Sequence, residues 1–330
     1  MLSLKRLWTY SGVAVAIVLL ALVVWTLDAR QIGASLISAR PELVLSGLAL
    51  VQMQIMLSAL RWRFTAGRLG QKIGARPAIN DYYLGTLVNQ LLPGGVAGDA
   101  LRALRHRTGK AGGWKVPAQA VLFERLAGQG MFFLIAGLGL LLWPWLATRD
   151  IPPGLMATIQ VWAVVLPLCL VVVTLLLLFP PSRLRAWLDG LKAALSHVFL
   201  RGGAWAVQLG LSFVIVGSYM AMFMLASAAI GAPLPAIASI TIIPICLLMM
   251  LFPATVAGWG AREAAAAALW PAFGYDASQG VAASILYGIM ALVGAAPGLF
   301  IGAAMLLRPH GSRRFSRAAD RSADASAPKE

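Results

Sequence analysis

One broken apolar segment occurs twice in this chain, and it limits the possible folds more than any other feature. Residues 91–102 read LLPGGVAGDALR and residues 251–262 read LFPATVAGWGAR. At a constant offset of 160 positions, Leu91/Leu251, Pro93/Pro253, Val96/Val256, Ala97/Ala257, Gly98/Gly258 and Arg102/Arg262 coincide, six of the twelve. Each copy follows an apolar run, interrupts it with proline and glycine, and restarts as a predicted helix carrying an arginine in its first turn. In hydrocarbon, irregular backbone is tolerated only where protein or water satisfies the freed polar groups. Both breaks are therefore expected to line a cavity.

Composition makes hydrocarbon the relevant solvent. The 330 residues are 60% hydrophobic and 12% charged, with a mean hydropathy of +0.80, whereas soluble domains carry about 25% charged residues. A net charge of +15 raises nucleic acid as a partner. The basic residues flank apolar stretches instead of forming a face interleaved with aromatics, which argues against it. Cys169 and Cys246 both lie inside apolar runs and indicate neither a disulfide framework nor a zinc site. His106, His197 and His310 are scattered, so no histidine-based metal centre is expected. No nucleophile elbow, phosphate-binding loop or dinucleotide fingerprint occurs. The expectation is a non-enzyme without cofactor or metal.

The order of apolar and basic stretches predicts an all-α polytopic protein. About six full spans are expected, near 11–27, 41–60, 117–143, 155–179, 204–230 and 278–307. Arg61, Trp62 and Arg63 read as an interface anchor ending the second. Two re-entrant hairpins, about 80–105 and 236–273, complete one membrane domain over residues 1–307. The tail 308–330 reads as disordered. Leu184, Leu188, Leu191 and Leu195 recur at helical spacing and predict an interfacial amphipathic helix. Of the 27 lysines and arginines, all but Arg30, Arg40, Arg125, Arg149 and Arg262 fall at the N-terminus, in 61–79, 99–115 or 180–204, or in the tail. The positive-inside rule then places both termini in the cytoplasm of an inner-membrane protein. It also makes the two hairpins enter from opposite faces, as the inverted repeats of many transporters do.

Chemistry concentrates at the breaks. A restarted helix presents unpaired amides and the positive end of its dipole, a ready anion site. Arg102 and Arg262 add full charges there. A self-contained reading stays open beside it: Asp99 can cap the first restart and pair with Arg102, and Arg262 can pair with Glu124. Glu124 and Arg125 are sequence neighbours about 100° apart on a helix, so each needs another partner. For Glu124 these are Arg102 or Arg262; for Arg125, Glu263, a substrate phosphate or the interface. Glu263 can cap a helix beginning at Gly260 or act as a protonatable group. Asn89 and Gln90 can cap a helix end or bond a headgroup. Gln52 and Gln54 read as interhelical glue, and Gly294, Gly298 and Gly302 as a close helix contact. The methionines at 220, 222, 224, 249 and 250 read as packing.

Three motifs resemble the signatures of the lysylphosphatidylglycerol synthase transmembrane-region, or flippase-like domain, family. They are Asn89–Arg102 (N-x-L-L-P-G-G-x-x-G-D-x-x-R), the Glu124-Arg125 pair, and Pro253–Glu263 (P-x-x-x-x-G-x-G-x-R-E). Asp99 stands where many members carry glutamate. The resemblance implies two oppositely oriented re-entrant segments that move phospholipid-linked or polyprenyl-linked headgroups between leaflets. Substrate-binding residues would be Asn89, Pro93, Gly94, Gly95, Gly98, Asp99, Arg102, Glu124, Arg125, Pro253, Gly258, Gly260, Arg262 and Glu263. With only a short tail after residue 307, a stand-alone member without the soluble synthase domain is expected. Its partners would be a membrane lipid and, in an alternative reading as a scaffold, a lipid-modifying or glycosyl-transferring enzyme. Proton-coupled transport of a small anion is the remaining alternative.

Overall fold

The computed structural model describes residues 29–108, 113–146, 182–251 and 255–307, together with Val18, Ala21 and Leu27. Helices account for nearly all regular structure there, and no strand forms among the described residues. Among the described residues, four helical stretches are long and apolar enough to cross a membrane: Pro41–Arg68, Lys115–Leu142, Asp189–Ala229 and Ala277–Met305. They match four of the expected spans. The expected spans at 11–27 and 155–179, and the tail 308–330, lie outside the described residues.

In chain order the elements are α1 (Ala29–Ile37), α2 (Pro41–Arg68), α3 (Ala75–Leu91), α4 (Ala97–Arg105) and α5 (Lys115–Leu146). They continue with α6 (Ser182–Leu195), α7 (Ala204–Ala229), α8 (Ala236–Ile240), α9 (Ile242–Leu248), α10 (Ala261–Leu269), α11 (Ala277–Ala295) and α12 (Pro297–Leu306). The centre is built by α2, α7 and α11, which pack on one another. Phe223, Trp270 and Tyr287 form its aromatic heart, with Phe223 and Tyr287 stacked at 4.9 Å. A helix, α6, covers the segment expected to be amphipathic.

Around this centre sit two helical hairpins. In the first, α3 packs on α4 across the break at Leu92–Val96. In the second, α8 and α9 lead through a turn at Met249–Leu251 toward the break, and α10 packs back on α9. The apolar stretch leading in is kinked at Thr241 (φ −108°, ψ −83°). Pro244 explains the kink: its ring displaces the carbonyl four residues earlier, that of Ile240, and it offers no N–H to that carbonyl. Gly139 of α5 packs on the displaced carbonyl, where a Cβ would collide.

Two boundaries depart from expectation. The last span is two helices, because Pro297 ends the hydrogen-bond ladder after Ala295. The glycine stripe crosses that joint. Gly294 lies against Val51, Gly298 against the Tyr83 backbone and Gly302 near Leu84, so the stripe seats α11 and α12 on α2 and α3. The second span does not end at Arg61. It runs on to Arg68, and Arg61 and Trp62 are buried instead of anchoring an interface. No proline or glycine stops that helix before Gly67.

Candidate functional site: an arginine-rich cavity where the two breaks meet

The two breaks touch. Pro93 and Val256 form an isolated antiparallel bridge, and the Gly94 N–H donates to the Thr255 carbonyl at 3.1 Å. Sharp reversals on both sides need positive φ, which glycine adopts without a Cβ penalty. Gly94 and Gly95 supply it in the first break, and Gly258 and Gly260 in the second, beside one strained alanine, Ala257 at φ 48°. Pro253 lies outside the described residues.

Next to this junction lies a cavity of about 520 Å³. Its walls come from α2 (Ser58, Arg61), α3 (Tyr82, Asn89), the first break (Gly94, Gly95), α4 (Asp99, Arg102), α5 (Glu124, Arg125) and α7 (Tyr219). Thr86, Gln90 and Gln129, Ala257 of the second break, and residues of the α9 end and α11 also line it. Half-exposed Val96 and Leu251 stand at its rim, so it reaches the apolar surface of the molecule.

The charges in this cavity form one connected set. Arg61 pairs with Glu124 at 2.6 Å and donates to Ser212 Oγ at 2.9 Å. Glu124 also accepts from the Tyr82 hydroxyl at 3.2 Å and lies 3.6 Å from Arg102. Asp99 bridges two cations, pairing with Arg102 through Oδ1 and with Arg125 through Oδ2. Arg125 donates in addition to the Gly95 carbonyl. The Arg102 guanidinium lies over the Tyr82 ring at 4.2 Å and the Trp62 ring at 5.0 Å, which stabilises a desolvated cation. Gly85 clears the space for its side chain.

Three guanidiniums thus face two carboxylates, leaving one uncompensated positive charge among the described ionisable side chains of the wall. Arg61 and Arg102 are almost completely buried, while the Arg125 side chain keeps 30% exposure. Arg61 Nε, Arg102 Nη1 and Glu124 Oε2 are buried without a hydrogen-bond partner among the described residues. Buried polar groups are normally satisfied, so these atoms call for polar contents. Among the described residues, no three His, Cys, Asp or Glu side chains gather as metal ligands would.

Asn89 does structural work here. Its Oδ1 accepts the Gly98 N–H at 2.7 Å, capping α4 from the neighbouring helix, and its Nδ2 is 3.5 Å from Asp99. Asp99 itself sits inside the first turn of α4 and does not cap it. At Gly98 the arms of the hairpin approach closely, since a Cβ there would strike the Gly85 carbonyl.

The residues of the second break lie differently. Arg262 and Glu263 pair with each other at 2.8 Å, both fully buried. Arg262 Nε donates to Ser284 Oγ at 2.8 Å, and that hydroxyl donates to Glu263 at 2.7 Å. Glu263 Oε2 accepts the Gly260 N–H at 2.6 Å, the capping arrangement the spacing suggests. Trp259 and Tyr287 cover the guanidinium. Arg262, Glu263, Gly258 and Gly260 therefore form a charge-neutral knot tying α10 to α11, and none of them lines the cavity. Nor does Pro93 or Gly98. Asn89, Gly94, Gly95, Asp99, Arg102, Glu124 and Arg125 do.

Sequence reasoning missed Arg61 as a cavity residue. Gln54, Ser58, Arg61 and Thr65 recur at helical spacing and are all buried, a polar stripe legible in the sequence. On α7, Gln208 and Ser212 answer it: Gln208 donates to Thr65 at 2.9 Å and Ser212 receives Arg61. Gln52 and Gln54 are the glue expected of them, reaching the Gly294 carbonyl and the Met222 sulfur.

Among curated proteins, none matches the chain. The model of the family described as the lysylphosphatidylglycerol synthase TM region matches residues 11–298, most of the chain including both breaks and the cavity, and this multi-pass membrane protein belongs to that family.

Proposed function

We propose that the protein is a lipid translocase that binds the anionic headgroup of a phospholipid or polyprenyl-linked lipid in the cavity beside the two breaks. In this reading the hairpins are re-entrant, enter from opposite faces of an inner membrane, and form an inverted repeat whose halves rock around the site. The termini are cytoplasmic, and no chemical step occurs on the chain. The observation that carries the reading is the uncompensated positive charge of the cavity wall, held where the two repeated backbone breaks abut one another. Ionisable residues inside membrane segments are costly and are functional by default. The cavity opens at an apolar rim, which lets acyl chains stay in lipid while a headgroup enters.

Proteoliposomes carrying fluorescent anionic or zwitterionic lipids test this. The expected result is headgroup-dependent movement between leaflets that Arg125→Ala reduces at least about tenfold, the loss of one charge-assisted contact. Equal rates for the variant and the wild type would overturn the reading. No lipid movement at all would favour the scaffold for a lipid-modifying enzyme.

A further inference from the structure

We infer that the cavity selects headgroups carrying a single negative charge, that is phosphodiesters, and that Asp99 sets this limit by excluding dianionic phosphomonoesters. The inference rests on the headgroup reading of the cavity and narrows it to a substrate class.

The five charged side chains of the wall divide into two groups. Glu124 is engaged by Arg61 at 2.6 Å and by Tyr82 at 3.2 Å, on the wall formed by α2, α3 and α5. Asp99 stands elsewhere, between the two remaining guanidiniums, with one oxygen toward Arg102 and the other toward Arg125. It occupies part of the space that an incoming anion needs, and it cancels one of the two charges that would attract it. Two donors are left over. Arg102 Nη1 is buried in the cavity wall without a hydrogen-bond partner, and Arg125 is the most exposed cation of the set. One negative charge placed on these donors brings the wall and its ligand to neutrality.

A second negative charge has no partner. Close to Asp99, in a site of reduced dielectric, it meets like-charge repulsion that water cannot screen. That repulsion corresponds to a loss of about tenfold or more in affinity. The Arg262–Glu263 knot cannot supply the missing countercharge, because Arg262 is already committed to Glu263 and Ser284. Asp99 reaches both guanidiniums from the first turn of α4 while Asn89 contacts the same carboxylate from α3, so its position is fixed from two sides.

The test is lipid binding to the purified full chain in detergent micelles, read by native mass spectrometry at about pH 8, where a phosphomonoester carries close to two negative charges. The probes are dioleoyl phosphatidylglycerol, dioleoyl phosphatidic acid with the same tails, and tail-free glycerophosphoglycerol. The wild type is expected to hold the diester lipid at least about tenfold more tightly than the monoester lipid. Asp99→Asn should bring the two within about threefold, and Asp99→Glu should keep the wild-type preference. Equal or tighter wild-type binding of phosphatidic acid overturns the inference without recourse to any variant. A folded Asp99→Asn protein with the wild-type preference overturns it too. Tail-free diester competing as well as the lipid would move the site to a soluble phosphodiester and overturn the lipid assignment. If Arg125→Ala abolishes diester binding while Asp99→Asn changes nothing, only the selectivity claim falls. If Arg125→Ala and wild type bind alike, the headgroup reading itself falls.

Discussion

Arg61 of α2 and Glu124 of α5 meet at 2.6 Å with both side chains almost completely buried. The pair joins two of the spanning helices and fixes the wall on which Tyr82 and Arg102 lean. Taking two charges out of water is expensive, and a buried pair returns that cost only through good geometry and further hydrogen bonds. Here Ser212 and Tyr82 provide those bonds.

Removing one partner should therefore hurt more than removing both. Arg61→Met is expected to destabilise the fold by about 3–5 kcal/mol, because it strands a buried carboxylate. Adding Glu124→Gln to that variant should restore part of the loss. Thermal unfolding of the wild type, Arg61→Met, Glu124→Gln and the double variant in detergent gives the coupling, and strictly additive losses would show that the pair holds nothing together.

Gly98 offers a steric prediction. Gly98→Ala drives a methyl into the Gly85 carbonyl and should separate α3 from α4, at a cost of about 1–3 kcal/mol. Gly130→Ala in α5 is the control, since nothing lies within 4 Å of its added Cβ. Higher helix propensity should leave that protein unchanged or more stable by up to about 1 kcal/mol. Equal melting temperatures for the two variants would contradict the close approach.

The contact between the breaks can be trapped. In a background with Cys169 and Cys246 replaced by serine, P93C together with V256C places two thiols on residues of one antiparallel bridge. Paired residues of this kind lie about 4.5–5.5 Å apart at Cα, within disulfide reach. Mild oxidation should give a cross-link seen as a mobility shift that reductant reverses. Failure to cross-link in membranes would mean that the breaks do not sit together there.

Glu263 should separate stability from ligand choice. Glu263→Gln leaves Arg262 buried without its countercharge and should destabilise the chain by about 3–5 kcal/mol. Its effect on the ratio of diester to monoester lipid bound by the folded fraction should be small, because Glu263 does not line the cavity. Binding assays on samples matched for folded protein check this, and a changed ratio would assign the knot a role in recognition.

Much of the fold was readable in the linear chain because its causes are local. Apolar runs of spanning length, the proline and glycine breaks at 93–95 and 253–260, and the helical restart carrying Glu263 three residues after Gly260 need no distant partner. The same holds for the pairing of Asp99 with Arg102, one helical turn apart. Even Arg61 was legible in principle, through the buried stripe it shares with Gln54, Ser58 and Thr65.

Tertiary structure alone decided which charges meet. Arg61 finds Glu124 across 63 positions of sequence, and Arg125 finds Asp99 and the Gly95 carbonyl instead of Glu263. Arg102 and Arg262, matched in the two copies, part company: one faces a cavity and the other closes on its own neighbour. These outcomes depend on how α2, α5 and α11 are rotated about their axes when they pack. Close contacts at small residues, Gly128 of α5 against Arg61 and Gly294 of α11 against Val51 of α2, limit that rotation. A local sequence pattern specifies that a helix forms and which residues share a face; only contact with the other helices specifies what that face meets.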